Sequence, residues 1–258
     1  MVVHPAIGNH EGTVVNALLF RYGANFCTIF AREGLSYKEP ENRECAGDRV
    51  EMVQQSVETP EESILTGMSE TEEESDSEEI SLDSPLVRPG IVHRLDKDTS
   101  GTLVIARTLE SFHSLSAQFK AHTTTKTYIG LAKGNFSRLE GSIRTNIKRD
   151  TRNRKRFVTC SGQEGKTALT HYRVLRQFSS FALVRINIHT GRTHQIRVHL
   201  SSLGHPLVGD VIYGKEDGAT LMLHALKLEV DHPTTGERRT FRSVLPPRFL
   251  EYVKGEGK

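Results

Sequence analysis

Residues 56–85 divide the chain, because this stretch cannot contribute to a folded core. It reads SVETPEESILTGMSETEEESDSEEISLDSP, is dominated by Glu, Ser and Asp, and has almost no aliphatic periodicity. Such a composition buries too little apolar surface to offset the entropy that is lost on ordering. We therefore predict an acidic, disordered insertion at residues 56–84. The folded unit then combines an N-terminal portion, residues 1–55, with a main body, residues 85–258.

The charge of the chain is divided at the same place. Residues 1–84 carry 5 Lys or Arg against 18 Asp or Glu, whereas residues 85–258 carry 29 against 14. The overall net charge of +2 hides this asymmetry. A strongly basic main body favours a polyanionic partner such as RNA. For the insertion, a solvated charge run without a specific role is preferred over an acidic mimic of RNA.

The main body mixes helix and strand patterns without a regular strand–helix–strand repeat. LESFHSLSAQFKAH and THQIRVHLSSLGHP have apolar side chains at helical spacing, which predicts two amphipathic helices. ALTHYRVLRQF and FALVRINIHTG alternate on either side of a short break, which predicts an antiparallel hairpin. Further strands are predicted at TLVIA, KTYIGLAKG, LMLHALKLEVDHP and RTFRSVLPP. The fold class is therefore α+β, with a mixed, largely antiparallel sheet and flanking helices.

Cysteine usage and hydropathy limit the class of protein. Cys27, Cys45 and Cys160 form no CxxC pair, which argues against a disulfide framework or a zinc site and suits a reducing compartment. The longest apolar runs, such as VVNALLF, are too short to span a bilayer. The N-terminus shows no signal-peptide pattern. We therefore expect a cytoplasmic protein that does not bind membranes.

The run GIVHRLDKDTSG, residues 90–101, holds two carboxylates among basic side chains. Asp96 has two interpretations. As a nucleophile it would need a cationic neighbour that keeps it ionised, and as a turn residue it would accept a hydrogen bond from a nearby backbone N–H. The spacing alone favours a turn residue for Asp96. Of the two carboxylates, Asp98 is the better candidate to cap the turn.

A second candidate is HTGRTHQIRVH, residues 189–199. His189, His194 and His199 recur every fifth residue, which does not place two ligands on one helical face, so a metal site is not favoured.

The arginines of the same segment have a stronger interpretation. Gly191 begins a turn into a helix, so Arg192 and the first amides of the helix could face an anion. Arg197 lies between apolar residues and suits a bidentate salt bridge with a buried carboxylate.

Two further features fit nucleic acid without requiring it. Tyr128 is either a core residue or a ring that stacks on a displaced base, and the sequence leaves both open. Residues 147–158 are either a solvated loop or a phosphate-contacting patch, and the basic main body favours contact with RNA. This patch contains Lys148, Arg149, Arg152, Arg154, Lys155 and Arg156.

Four segments together resemble the RluA/RluD-type RNA pseudouridine synthases. They are HRLDKDTSG, KTYIG, HTGRTHQIRVHLSSLGHPLVGDVIYG and LMLHALKLEVDHP, in family order. MVVHPAIGNHEGTVVNALL is also similar to an early family segment. The family usually has a strand with an NKP-type segment just before the VVHP region, and a short connection to PGIVHRLD. The resemblance thus implies the pseudouridine synthase catalytic fold, N-terminally truncated and with an expanded acidic connection.

The resemblance implies isomerisation of uridine to pseudouridine in structured RNA, without a metal or cofactor. The N-glycosidic bond breaks, the uracil turns, and its carbon 5 joins the ribose. Asp96 would be the catalytic aspartate, Tyr128 would stack on the flipped uracil and assist the final deprotonation, and Arg197 would pair with Asp96. Arg94 would help to fill the space that the base leaves. The other expected RNA contacts are His93, Arg192, Arg152, Arg154, Lys155 and Arg156.

The expected substrate is large-subunit (23S) ribosomal RNA, and the expected state is a monomer. The alternatives are a transfer RNA substrate, a catalytically inactive RNA-binding relative, and a metal-dependent hydrolase built on the histidines. The presence of Asp96, Tyr128 and Arg197 argues against an inactive relative, and the hydrolase would require bound metal.

Overall fold

The computed structural model describes Val3, residues 13–23, Phe26 and residues 90–255. The predicted insertion and most of the N-terminal portion lie outside these residues. The described elements are α1 (Val14–Tyr22), β1 (Ser100–Gly101), α2 (Leu109–Lys120), β2 (Thr125–Lys133), β3 (Glu140–Arg149), β4 (Phe157–Cys160), β5 (Lys166–Gln177), β6 (Phe181–Ile188), α3 (Gln195–Ser202), β7 (Leu223–Asp231), β8 (Arg238–Arg242) and α4 (Pro247–Gly255). Within this part of the chain, no helix combines the length and the apolar character that crossing a membrane requires.

The strands form one eight-stranded sheet. The order is β1-β7-β2-β6-β5-β3-β4, and β8 also pairs with β7. Strands β1 and β7 run parallel, and all the other pairs are antiparallel. The predicted α+β class with a mixed, largely antiparallel sheet is confirmed, and so is the hairpin of β5 and β6.

Strand β2 is buried along seven of its nine residues, because both faces of the sheet are covered there. Tyr128 packs in one apolar cluster with Ile196 of α3, and Leu95 joins this cluster from the preceding loop. Ile129 packs in another cluster with Phe249 of α4. Since successive strand residues point to opposite faces, α3 and α4 cover opposite sides of β2. The loop that carries Asp96 therefore lies on the α3 side.

Helix α3 is fastened to the sheet by a buried histidine. The ring of His199 is fully buried, with Nδ1 2.8 Å from Oγ1 of Thr170 and Nε2 3.0 Å from Oγ1 of Thr145. These threonines lie on β5 and β3, so one side chain ties the helix to two strands.

Gln195 fixes the segment that leads into the same helix. Its Oε1 accepts hydrogen bonds from Thr190 Oγ1 at 2.8 Å and from the Arg192 amide at 3.0 Å, and its Nε2 donates to Leu169 O at 3.0 Å. The Arg192 amide is thus occupied by Gln195.

Residues 102–106 depart from the predicted buried strand. They are extended, but Ile105 makes only an isolated bridge to Ile91. The amide of Thr102 donates to Ala225 O at 2.9 Å, and the amide of Val104 donates to Nε2 of His93 at 2.9 Å. The strand prediction is wrong because the His93 side chain accepts the hydrogen bond of the Val104 amide, which pairing with a neighbouring strand would need.

Five elements were missing from the pattern-based prediction, the two-residue strand β1 among them. Helix α1 begins at a capping box, in which Thr13 Oγ1 accepts from the Asn16 amide at 3.2 Å and Asn16 Oδ1 accepts from the Thr13 amide at 3.0 Å. Strands β3 and β4 contain the two ends of the basic run, whose charges mask any apolar alternation. Helix α4 begins at Pro247, which was interpreted only as the end of a strand.

Acid is expected to weaken the fold through His199. Burial lowers the pKa of His199 to about 4, whereas an unfolded histidine has a pKa near 6.5. The unfolded state therefore binds the proton more readily. The contribution of His199 is complete above pH ~6.5 and is lost as the pH falls towards ~4, by up to about 3 kcal/mol.

Urea unfolding near pH 7 and pH 5 tests this expectation. The variant His199→Gln should lose about 2 kcal/mol less free energy of unfolding between the two pH values than the wild-type protein. The control His113→Gln removes an exposed histidine from α2 and should follow the wild type. Equal losses in His199→Gln and the wild type would contradict the assignment.

Candidate active site

Asp96 lies on a loop that is held at both ends. The loop starts at the bridge between Ile91 and Ile105 and ends in β1, which pairs with β7. Gly101 closes it with φ of 122°, and a Cβ there would lie 2.2 Å from Ala225 O, so the approach of the two backbones requires glycine. Within the loop, the Thr99 amide donates to Asp96 O at 3.0 Å and closes a turn. The backbone of Asp96 thus makes the turn, while its carboxylate contacts Arg197.

Arg197 connects Asp96 with a second carboxylate, Asp210. Its Nε and Nη2 donate to Oδ2 and Oδ1 of Asp210, both at 2.8 Å, and its Nη1 donates to Oδ2 of Asp96 at 3.4 Å. The side chains of Asp210, Arg197 and Asp96 are 0, 8 and 19 % exposed. The pairing of Arg197 with Asp96, which the resemblance implied, is therefore the longer of two contacts. The bidentate bridge is made with Asp210.

The electrostatics of this ion triad keep Arg197 and Asp210 charged. Burial by itself would raise the pKa of Asp210, but hydrogen bonds from Arg197 and from the amides of Tyr213 and Ile212 outweigh it, and the pKa is lowered. Burial would likewise lower the pKa of Arg197, but the bonds to Asp210 and the charge of Asp96 raise it. A permanent cation is thus fixed beside Asp96.

Tyr213 packs against the ion triad. Its ring centre lies 5.1 Å from Cζ of Arg197. Its hydroxyl accepts from the Phe157 amide at 2.8 Å and lies 2.9 Å from Nδ1 of His194. Burial raises the pKa of Tyr213 to about 12, so the hydroxyl keeps its proton. Burial, more than the nearby charges, lowers the pKa of His194, which favours the neutral ring.

Neither Asp210 nor Tyr213 was among the predicted site residues. The available signal was a single acid in the otherwise apolar segment LVGDVIYG. A carboxylate that is buried in such a segment requires a cationic or multiply hydrogen-bonded partner.

Tyr128 lies in the core, 8 % exposed, on the side of the sheet that carries the Asp96 loop. It shares its cluster with Leu95. The pairing of β2 with β7 shifts register between Thr127 and Tyr128, which locally redirects the strand. The structure therefore shows core packing for this ring, in the cluster against which the residue that precedes Asp96 also packs.

His93, a predicted RNA contact, has a structural position in the described residues. Its ring stacks on Phe119, with centroids 4.6 Å apart and planes at 14°, and its Nε2 accepts from the Val104 amide. Burial, followed by the charge of Lys126, lowers the pKa of His93 to about 3, so the ring is neutral. His93 holds the loop in place. Arg94, the next residue, is exposed.

The basic run forms an ordered turn at the β4 edge of the sheet. The Asp150 amide donates to Arg156 O at 2.9 Å, and Nη1 of Arg149 donates to Arg154 O at 2.8 Å. Arg152, Arg154 and Lys155 are exposed at its tip. Arg156 is half-buried, with Cζ 5.4 Å from the ring centre of Tyr213. The turn therefore contacts the same tyrosine as the ion triad.

The three histidines of residues 189–199 have separate partners. His199 bonds the two threonines, His194 bonds Tyr213, and the ring of His189 lies 5.3 Å from that of His122. Across the described residues, no group of three His, Cys, Asp or Glu side chains is placed to hold a metal ion.

Known proteins resemble this chain in sequence and in fold. A family model described as RNA pseudouridylate synthase matches residues 50–202. Ribosomal large subunit pseudouridine synthase D of Borreliella burgdorferi is 46 % identical over 178 residues, which cover 67 % of this chain and 54 % of that protein. The protein of the same name from Zymomonas mobilis is 34 % identical over 257 residues, covering 95 % and 64 %. The chain thus spans between half and two thirds of the length of these relatives.

Among solved structures, human RNA Pseudouridylate Synthase Domain Containing 1 superposes with a TM-score of 0.54 and 29 % identity, covering 64 % of this chain and 79 % of that chain. The structural match and the matched family model agree on the fold. The chain belongs to the RNA pseudouridylate synthase family.

Proposed function

We propose that this protein isomerises uridine to pseudouridine in large-subunit ribosomal RNA, with Asp96 as the catalytic carboxylate. The observation that carries the proposal is the position of Asp96, 3.4 Å from a guanidinium that buried Asp210 holds in place. Family membership supports the reaction, and the relatives named ribosomal large subunit pseudouridine synthase D support the class of RNA.

The reaction is a balanced isomerisation. The carboxylate of Asp96 attacks either the uracil ring or the anomeric carbon of the ribose, and the bond between N1 and C1′ breaks. The uracil then turns, a bond forms between C5 and C1′, and the bond to Asp96 breaks, which restores the carboxylate. The proton on C5 is released while N1 gains one. No oxidant, reductant or group donor enters this balance. The fixed charge of Arg197 serves the step by orienting the Asp96 carboxylate.

The target uridine has to leave its stack before Asp96 can reach the glycosidic bond, at a cost of a few kcal/mol. Arg94 is exposed two residues before Asp96, so its side chain can fill the space that the base leaves. Tyr128 lies on the same side of the sheet and would stack on the flipped uracil. Both contacts would return part of the unstacking energy.

The basic turn is proposed to bind the phosphates that flank the target. Arg152, Arg154 and Lys155 are exposed together at the β4 edge, and Arg156 links this turn to Tyr213. Because the backbone charge of RNA dominates its affinity for proteins, such a turn supplies binding energy without selecting a sequence. A monomer that acts in the cytoplasm is the simplest form of the proposal and suits a sequence without a CxxC pair.

The catalytic carboxylate can be tested by tritium release from ribosomal RNA labelled at carbon 5 of uridine. Asp96→Asn should lower the release rate by at least about 10³-fold, because the nucleophile is lost while the shape is kept. Its affinity for RNA should stay within a few fold of the wild type. Asp98→Asn changes an exposed acid on the same loop and should retain the wild-type rate. Substantial release by Asp96→Asn would remove Asp96 from the mechanism.

The role of Asp210 can be tested by comparing stability and turnover. Asp210→Asn should lower the free energy of unfolding by about 3–5 kcal/mol and suppress turnover, because it removes the buried carboxylate that pairs with both Nε and Nη2 of Arg197. Asp231→Asn breaks an exposed pair with Arg238 and should cost less than about 1 kcal/mol. Denaturant unfolding and tritium release supply the two readouts. If the two variants proved equally stable, the ion triad would not be the anchor of the site.

The basic turn can be tested by the salt dependence of RNA binding. Replacing Arg152 and Arg154 together by Ala should reduce the slope of log K against log salt by between one and two, since each phosphate contact contributes about 0.7–0.9. Replacing Arg239 and Arg242 by Ala removes two exposed charges from β8, far along the sheet order, and should leave the slope unchanged. Equal slopes for the two double variants would contradict phosphate contact by the turn.

A further inference from the structure

Two residues other than glycine have left-handed backbones in the described part of the chain, and both are histidines. They are His122, with φ of 56°, and His194, with φ of 54°. This conformation costs an ordinary residue roughly 1–2 kcal/mol. His194 contacts Tyr213 in the site already described. His122 lies elsewhere, and its side chain has no role in that site.

His122 occupies the position at which helices commonly end in glycine. The Thr123 amide donates to Gln118 O at 3.1 Å and the His122 amide donates to Phe119 O at 3.2 Å, which is the Schellman pattern at the end of α2. Glycine would satisfy both bonds without the cost of a Cβ. A histidine that persists at such a position is a reason to look for a function of its side chain.

The surroundings of His122 are cationic. The ring of His189 lies 5.3 Å away. Burial, and then the charges of Lys126, His189 and Arg192, lower the pKa of His122. Lys126 lies on strand β2, and His189 and Arg192 lie in the segment after β6. Nδ1 of His122 is buried and makes no hydrogen bond within the described residues.

This cluster is adjacent to the loop of Asp96. Lys126 lies two residues before Tyr128 on β2, which is about 7 Å along the strand. Its Nζ lies 5.9 Å from the ring centre of Phe119. The same ring stacks on His93, three residues before Asp96. Arg192 lies five residues before Arg197, and its Nε donates to Thr167 O at 3.1 Å, which orients the guanidinium.

We propose that His122, His189 and Arg192, together with Lys126, form a binding site for a backbone phosphate of the RNA close to the target nucleotide. The site rests on the proposed function, in which RNA is the substrate. Phosphate oxygens accept hydrogen bonds from imidazole and guanidinium N–H groups, and such charge-assisted bonds are the strong ones. The phosphate would also offset the repulsion that Lys126 and Arg192 exert on a charged His122. Because an anion favours the charged imidazole, binding would take up protons.

The variant His122→Gly separates this proposal from a structural role. Glycine relieves the left-handed backbone, so the thermal midpoint should stay the same or rise. Affinity for a 23S ribosomal RNA fragment and for a uridine oligonucleotide should fall between about 3-fold and 10-fold, and the salt slope should become less steep by up to about one. His122→Asn also tolerates this backbone and should lose affinity in the same way. His113→Ala, which removes an exposed histidine from α2, serves as the control.

The pH dependence supplies a second readout. Wild-type protein should bind the oligonucleotide more tightly near pH 6 than near pH 8, and His122→Gly should lose part of that difference. Unchanged affinity and salt slope in His122→Gly would overturn the phosphate site. Tritium release, run on the same samples, keeps the two proposals apart. A wild-type protein that releases no tritium from ribosomal RNA would count against the proposed function, whereas the binding comparison would still decide the phosphate site.

Discussion

The buried salt bridge between Arg197 and Asp210 is the constraint on which the site depends. Two charges removed from water cost several kcal/mol each, and the bridge is tolerated because Asp210 accepts four hydrogen bonds, two from Arg197 and two from backbone amides. Apolar residues of the same volume would often be at least as stable in such a place. What they could not do is hold a cation 3.4 Å from Asp96. The bridge is therefore better explained by the proposed role of Asp96 than by stability.

Tyr213 connects the salt bridge between Arg197 and Asp210 to the basic turn at the β4 edge of the sheet. One hydroxyl binds the Phe157 amide and His194, while the ring lies close to both Arg197 and Arg156. The basic turn, the ion triad and the histidine at the start of α3 thus all contact Tyr213. A phosphate bound at the turn would be positioned relative to Asp96 through a path of about three packed side chains. No part of the protein would have to move. The fold thus brings together residues proposed for binding and for catalysis that lie far apart in the sequence.

The elements that the sequence predicted well are those whose signal is local. Helix α2 and strands β2 and β5 to β7 follow from periodicity, and Arg197 was expected to meet a buried carboxylate because it lies between apolar neighbours. Its closest partner could not be found in this way. Asp210 lies 13 residues away on a loop, and only the packing of α3 against that loop joins them. The failed strand at residues 102–106 has a similar cause, since the ring of His93 takes an amide through a tertiary contact that no periodicity encodes.

The two left-handed histidines, His122 and His194, are positions of backbone strain in elements that flank the site. His194 begins α3 with no side-chain capping bond, and its ring is used to hold Tyr213. His122 ends α2 where glycine would be easier, and its ring lies 5.3 Å from that of His189. Backbone strain at two positions is tolerated only where the surrounding structure fixes the backbone. The Schellman hydrogen bonds do this at His122, and Gln195 does it at His194. If strain of this kind marks side chains that function requires, the substrate surface runs from the basic turn past Asp96 to the end of α2. It is then longer than the catalytic residues alone indicate.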